Sequence, residues 1–247
     1  MAPQDLPAQN AGTMVYFPLF LNIYDFTILW LSNTYLWECP TLTTQLPFFR
    51  GALGRRHLDM GVGTGFYPAS AIPDSACREL TLVDLNPHSL DKAKFRVESA
   101  VEKKEEGGKV KGRKLQDGGL EITTLVADAT APLLLPEEAK FDSISLFFLL
   151  HCIPGPASRK NAVFDAVRPH LAQDGVLVGT TILGPESKAC GWVDGAILRL
   201  YNTCGIFSNW QDTREGFEEG LRRNFGEVDV RVEGRVMLFT ARRPKQM

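Results

Sequence analysis

Three glycines at alternate positions, Gly61, Gly63 and Gly65, interrupt the run HLDMGVGTGFY between His57 and Tyr67. Leu58-Asp59-Met60 ahead of them reads as the end of a buried strand. The glycines make a turn in which backbone approaches a ligand without interference from Cβ atoms. A helix is expected to open near Phe66, and the first amide N–H groups of a helix lack intrahelical partners, so an anionic group is favoured above the loop.

Two residues separate this loop from a dinucleotide-binding fingerprint. Phe66 stands where that fingerprint has a small residue for close helix packing. Asp59, at the strand tip, repels a pyrophosphate and attracts a cation. A short helix and strand later comes TLVDLNP, Thr81 to Pro87. There Asp84 ends a strand from Leu80, and its carboxylate can accept hydrogen bonds from two ribose hydroxyls. A third strand, Leu120 to Ala127, ends in Asp128-Ala129. Ligands in open α/β sheets collect at the carboxyl ends of the strands, so Asp128 faces the same crevice and can accept from an adenine amino group. A ligand with an ammonium, a carboxylate and an adenosine meets these demands better than NAD does, and S-adenosylmethionine has that pattern.

The chain has 247 residues, enough for one large α/β domain. Lys and Arg total 27 against 29 acidic residues, which leaves no basic field to gather nucleic acid or an anionic membrane. Five cysteines, Cys39, Cys77, Cys152, Cys190 and Cys204, form no Cys-x-x-Cys pair. They argue for reduced thiols, a cytoplasmic setting and no metal site. MAPQDLPAQN lacks the basic start of a secretory signal. Met14 to Leu31 is apolar, but Pro18, Asn22 and Asp25 interrupt it, so it reads as buried helix rather than a membrane span.

Residues 1 to 12 read as a disordered tail. Met14 to Pro40 suits two short helices across the mouth of the crevice, with Ser32-Asn33 as a cap and Tyr24, Tyr35 and Trp37 as lid residues. Asn86-Pro87 starts a helix over His88 to Glu105, with Leu90, Ala93, Val97, Ala100 and Val101 on one face. Lys103 to Gly119 reads as a charged, glycine-rich loop. A buried fourth strand runs from Phe141 to Leu149 and leads into Leu150-His151-Cys152-Ile153-Pro154-Gly155. A helix over Ser158 to Leu171, a turn at Gln173-Asp174-Gly175 and a strand Val176 to Ile182 follow. Further helices are expected near Val193 to Asn202 and Thr213 to Asn224. Glu227 to Val232 and Arg235 to Ala241 alternate about Glu233-Gly234, as a hairpin does.

From residue 50 to 242 this order resembles the class I S-adenosylmethionine-dependent methyltransferases. The runs YDFTILWLSNTYLWECPT, HLDMGVGTGFY, LLHCIPG, TTILG and YNTCGIFSN are similar to those of small methyltransferase-like proteins encoded among bacterial and fungal natural-product genes. The resemblance implies a Rossmann-like seven-stranded sheet, mostly parallel with an antiparallel C-terminal strand, plus an N-terminal helical lid. It implies a single domain over residues 13–242, with the lid at 13–50 and the core at 51–242. Gly61, Gly63 and Gly65 would then contact the methionine part of the cofactor, with Asp59 near its ammonium. Asp84, with Leu85 beside it, would take the ribose, Asp128 the adenine amino group and Ala129 the adenine face. Phe148 and Leu149 would lie under the cofactor.

Transfer from a sulfonium is an in-line displacement that needs close approach and exclusion of water, and a base only where the acceptor loses a proton. His151, past the fourth strand, is the candidate base, and a capping role is the alternative. His57, His88 and His170 read as structural. Tyr201, Asn202 and Asn209 could close an acceptor pocket, and Tyr24, Trp37, Trp192 and Phe207 could wall it. These residues suit methylation of a small aromatic or polyketide acceptor, at oxygen, by a monomer or homodimer. The alternatives are a protein that binds the cofactor for a cyclisation or rearrangement, and a non-catalytic scaffold.

Overall fold

The computed structural model describes residues 25–107, 119–187 and 191–246. Seven strands make one sheet: β1 Arg56–Met60, β2 Glu79–Asp84, β3 Glu121–Val126, β4 Phe141–Phe147, β5 Leu171–Ile182, β6 Phe225–Glu233 and β7 Val236–Pro244. Their order is β3-β2-β1-β4-β5-β7-β6. Neighbours run parallel except at β7, which is antiparallel to both β5 and β6. The fold class expected from the sequence is the one found. The chain leaves β1 toward β2 on one side and returns at β4 on the other, and a doubly wound sheet opens a crevice above such a reversal.

Seven α-helices flank the sheet among the described residues: α1 Leu46–Ala52, α2 Phe66–Ala71, α3 Pro87–Gly107, α4 Ala157–Lys160, α5 Ala162–Val167, α6 Trp192–Thr203 and α7 Arg214–Asn224. Helix α3 buries Leu90, Ala93 and Val97, at helical spacing, with Leu80 and Leu82 of β2. Leu58, Ile144, Leu146 and Leu177 of the central strands pack with Phe164 of α5 and Phe217 and Leu221 of α7. Thr213 caps α7, its side chain accepting from the Gly216 amide at 3.1 Å.

Several expectations need correction. Asp25–Leu36 is one continuous π-helix, and the anticipated break at Ser32-Asn33 is absent. Both residues are buried, and Asn33 Nδ2 donates to Thr41 Oγ1 at 3.0 Å instead of capping a helix. The helix expected over Ser158 to Leu171 is broken at Asn161, whose Nδ2 donates to the Gly216 carbonyl, and it ends in a 3-10 turn at Arg168–His170. Pro169 has no N–H with which to continue it. Gln173-Asp174-Gly175 is not a separate turn but lies inside β5, whose pairing with β4 shifts register between Phe141 and Ser143. Strand β4 stops at Phe147, because Phe148 takes φ +55° and turns the chain away. Residues 1–24 and 108–118, and Cys190, lie outside the described residues. Among the described residues no helix is long and apolar enough to cross a membrane.

The hairpin turn fastens the N-terminal layer. Gly234 has φ +58°, and a Cβ there would overlap the Trp37 carbonyl, to which the Arg235 amide donates at 2.8 Å. The Arg235 guanidinium, buried beneath, pairs with Asp194 of α6 at 3.0 Å and donates to the Gly184 carbonyl at 3.2 Å.

Candidate functional site

The three glycines after β1 have different reasons to be glycine. All have positive φ: 73° at Gly61, 53° at Gly63 and 71° at Gly65. A Cβ on Gly61 would lie 2.7 Å from Leu149 Cδ1, and one on Gly65 would lie 2.7 Å from Ala93 Cα of α3. One on Gly63 would meet nothing within 4 Å. The outer two glycines therefore let protein close on the loop, and Gly63 alone faces open space.

Asp84, at the end of β2, is bound to that loop. Its Oδ2 accepts from the Gly63 amide at 3.1 Å and its Oδ1 from the Asn86 amide at 2.9 Å. Each carboxylate oxygen has a second lone-pair direction, so the group can still accept two further hydrogen bonds. Burial raises its pKa above the usual carboxylate range, opposed by the amides that donate to it. Leu85 beside it is exposed. The Ala127 amide donates to the Asp84 carbonyl at 3.1 Å and so brings the end of β3 alongside. Asp128 there is exposed, and its Oδ1 accepts from both the amide and the hydroxyl of Thr130 at 2.8 Å. Ala129 follows, half-buried.

Asp59 sits at the core side of the same loop, 4% exposed. It pairs in register with Ser145 of β4, as His57 does with Ser143. Alternation along a strand puts all four side chains on one face. Ser145 Oγ donates to Asp59 Oδ1, and among the described residues no group donates to Oδ2. Burial pushes the Asp59 carboxyl up to about 7, with the Ser145 hydrogen bond opposing and the Asp84 charge adding.

Beyond β4, Phe148 in its left-handed conformation sends Leu149 against Gly61 and starts a 3-10 turn, Leu150–Cys152. Left-handed backbone at a residue with a Cβ costs on the order of 1–2 kcal/mol, and such strain collects at functional sites. His151 is buried, with ring edges to Phe148 at 5.7 Å and Phe207 at 4.5 Å. Its Nδ1 accepts from the Ile182 amide at 3.5 Å and lies 3.4 Å from Thr181 Oγ1, and Nε2 has no hydrogen-bond partner among the described residues. Burial first, and then the Lys160 charge, lowers its pKa to about 3, so the imidazole is neutral. Lys160 itself is fully buried, donating to Asp212 at 2.5 Å and to the Ser208 carbonyl at 2.7 Å.

The structure separates the anticipated acceptor residues. Tyr201 stacks edge-on to Phe207 at 5.0 Å and so joins the His151 wall. Asn202 and Asn209 clasp each other: Asn202 Nδ2 donates to Asn209 Oδ1 at 2.8 Å, and the Asn209 amide returns a bond to Asn202 Oδ1 at 3.0 Å. Asn202 Nδ2 also donates to the Leu198 carbonyl and Asn209 Nδ2 to the Ile182 carbonyl, so both side chains hold the wall rather than offer donors. Trp37 is fully buried against Phe207, 6.1 Å between rings, and presents no face to an acceptor. Tyr35 is 69% exposed, as is most of Trp192. Tyr24 lies outside the described residues. Phe49 of α1 stacks on Tyr67 at 5.6 Å and on Phe147 at 5.1 Å, and Tyr67 donates to Gln45, so the N-terminal layer rests on the helix that follows the glycine loop.

Sequence reading missed the His57, Ser143 and Ser145 group and the Lys160–Asp212 pair. The first had a signal, since polar residues two apart on each of two apolar strands share a face. The second had none, because a lysine and an aspartate 52 residues apart announce no contact.

A family model described as a methyltransferase domain matches residues 58–177. An O-methyltransferase of Aspergillus niger is 46% identical over 196 residues, covering 78% of this chain and 93% of the relative. The physcion biosynthesis cluster O-methyltransferase of Aspergillus chevalieri is 41% identical over 243 residues, covering 98% and 99%. Among solved structures, the N-methyltransferase NodS of Bradyrhizobium japonicum in complex with S-adenosyl-L-homocysteine superposes with a TM-score of 0.53 at 16% identity, over 81% of this chain and 85% of that one.

Proposed function

The chain belongs to the class I S-adenosylmethionine-dependent methyltransferases, and on that premise we propose that it methylates a hydroxyl oxygen of a small aromatic or polyketide-type acceptor. The observation that carries the proposal is the neutral His151 imidazole, walled by Phe148 and Phe207 at the carboxyl end of β4 with Nε2 unpartnered among the described residues. Both curated relatives are named O-methyltransferases, and one belongs to a biosynthetic cluster for physcion.

The residues present fit S-adenosylmethionine. The open side of Gly63 accommodates its methionine part, between the close contacts of Gly61 and Gly65 with their protein neighbours. Asp59 Oδ2 would receive the ammonium, Asp84 the ribose hydroxyls and Asp128 the adenine amino group. Leu85, Ala129, Phe148 and Leu149 would provide apolar faces. The cofactor supplies a methyl group already activated on a sulfonium.

The chain's own task is then to position the acceptor, exclude water and remove a proton. The Ile182 amide donates to His151 Nδ1 at 3.5 Å, a weak bond that favours Nε2–H at rest. Exchanging it for Nδ1–H donated to Thr181 Oγ1 would leave the lone pair on Nε2 to take the hydroxyl proton during transfer. The sulfonium would supply the methyl group and keep the C–S electron pair. Tyr201 and Phe207 contribute a flat apolar wall. The segment up to residue 50 would serve as a lid over this wall within a single domain of residues 13–242, acting in the cytoplasm as a monomer or homodimer on a small molecule.

The test is incubation with S-adenosylmethionine and a panel of phenols, carboxylic acids and amines, with products identified by mass. Methyl ethers are expected from phenols, and His151→Ala should lower kcat about 10²-fold with cofactor affinity unchanged. Methylation confined to nitrogen, or an unaltered kcat in the variant, would reject this assignment.

A further inference from the structure

Behind Asp59 runs a row of buried polar groups that the proposed transfer does not use. The Gly54 amide donates to Ser143 Oγ at 2.8 Å. Ser143 Oγ lies 2.7 Å from His57 Nδ1, His57 Nε2 lies 3.0 Å from Ser145 Oγ, and Ser145 Oγ is bonded to Asp59 Oδ1. All four side chains are buried, and the edge of Phe49 covers the imidazole at 5.4 Å.

Counting protons gives the row a direction. Above pH 7, or with an ammonium bound, Asp59 is ionised and can only accept, so the Ser145 proton goes to it. Ser145 Oγ then accepts from His57 Nε2–H. A neutral imidazole has one N–H, so Nδ1 accepts the Ser143 proton, and Ser143 Oγ accepts from Gly54. In the reverse direction Ser143 would receive both Gly54 N–H and His57 Nδ1–H, and its own proton would have no acceptor. The alternative acceptor for Ser145, the Leu58 carbonyl, is at 3.5 Å, too far to compete. Burial holds the imidazole neutral, its pKa lowered to about 3, as this assignment requires.

A buried polar row in the two central strands of a parallel sheet is not the cheap way to hold them together, since apolar pairs would do so with no desolvation of polar groups. We propose that Ser143, His57 and Ser145 are positioning residues for the cofactor: a directed hydrogen-bond chain that occupies Oδ1 of an ionised Asp59 and leaves Oδ2 for the ammonium of S-adenosylmethionine. The inference rests on the cofactor reading above. It moves His57 from a structural residue to one that acts on the ligand through Asp59.

The experiment compares two ligands that share the nucleoside: S-adenosylhomocysteine, which carries the ammonium, and 5′-methylthioadenosine, which lacks it. Calorimetric titration of Ser145→Ala is expected to show about tenfold or greater loss of S-adenosylhomocysteine affinity at pH 7, the scale of a lost hydrogen bond to a charged group, with methylthioadenosine affinity held within about twofold. The rise of S-adenosylhomocysteine affinity with pH should move to higher pH in the variant, because Asp59 has lost the donor that favours its charge. The other titratable groups around Asp59 are Asp84, Tyr67 and His57, and none of them is altered. Equal losses for both ligands, or no loss for either, would overturn the proposal. Failure of the unsubstituted chain to bind either ligand would overturn the cofactor reading, a different result. If Ser145→Ala does not accumulate as folded protein, nitrogen NMR of labelled histidine in the unsubstituted chain decides. At pH 8, where Asp59 is ionised, His57 is expected as the Nε2–H tautomer, with a resonance that moves on adding S-adenosylhomocysteine and not methylthioadenosine. The Nδ1–H tautomer, or no ligand response, would reject the chain.

Discussion

The Gly63 amide donates to the Asp84 carboxylate at 3.1 Å, so the one glycine of the loop that faces open space is held by the acidic end of the neighbouring strand. With the ribose placed as proposed, loop shape and ribose recognition would depend on the same side chain. Asp84→Ala would remove the proposed acceptor for two ribose hydroxyls and the carboxylate that holds the Gly63 amide. Calorimetry should show S-adenosylhomocysteine affinity reduced by 10² or more, since each hydrogen bond to a charged group contributes about 1.5–3 kcal/mol. Asp84→Asn should fall between the two, and an Ala variant that binds normally would show that the cofactor lies elsewhere.

The glycines should separate by assay. Gly65→Ala puts a Cβ against Ala93 of α3 as well as into left-handed backbone, so its Tm should fall the more. Overpacking adds about 1–3 kcal/mol to a conformational cost of about 1–2 kcal/mol. Gly63→Ala carries only the conformational cost and should retain most of its Tm while cofactor binding weakens at least tenfold, because its methyl enters the open space. Equal thermal shifts with equal loss of binding would count against this division.

With the ligand ammonium placed at Asp59 as proposed, binding should depend on pH. Its carboxyl is raised to about 7 in the free protein, and an ammonium alongside favours the ionised form. Below pH 7 a proton must leave as ligand binds, so affinity for S-adenosylhomocysteine should rise with pH up to about 7 and then level off, while methylthioadenosine shows no such limb. Stability follows the opposite sign for this group. Between about pH 4 and 7 the folded state holds a proton that the unfolded state has lost, and stability falls as pH rises. His57 and His151, both lowered to about 3, act the other way, while Asp84 and Asp212, also raised by burial, act with Asp59. Unfolded chains gain the two histidine protons below pH 6.5, so the histidine contribution declines on acidification from 6.5 toward 4, and stability should fall less steeply in His151→Gln than in the parent. Urea titrations across that range measure it.

Lys160 and Asp212 form a buried pair that anchors the loop carrying Phe207 and Asn209. Lys160→Met leaves the Asp212 charge without its partner, and breaking a buried pair in this way costs about 3–5 kcal/mol. Chemical denaturation should show that loss, and pairing the change with Asp212→Leu should recover most of it. If the single variant is as stable as the parent, the pair does not hold the loop.

The sequence by itself determined the sheet class, the glycine turn and the acidic strand ends, because each is local. Alternating burial, a left-handed loop and a carboxylate at a strand tip are written in consecutive residues. It placed α3 correctly from the spacing of Leu90, Ala93 and Val97, and the hairpin from alternation about Gly234. Only the tertiary structure decided which glycine faces open space, since that depends on Leu149 and Ala93 arriving from elsewhere. It decided that Trp37 is core and that Asn202 and Asn209 spend their amides on each other and on nearby carbonyls, because hydrogen-bond partners are set by packing and not by residue type. It also joined His57 to Asp59 through Ser145. Strand register brings two residues about 88 positions apart in the chain within hydrogen-bonding distance, and no local rule reaches that far.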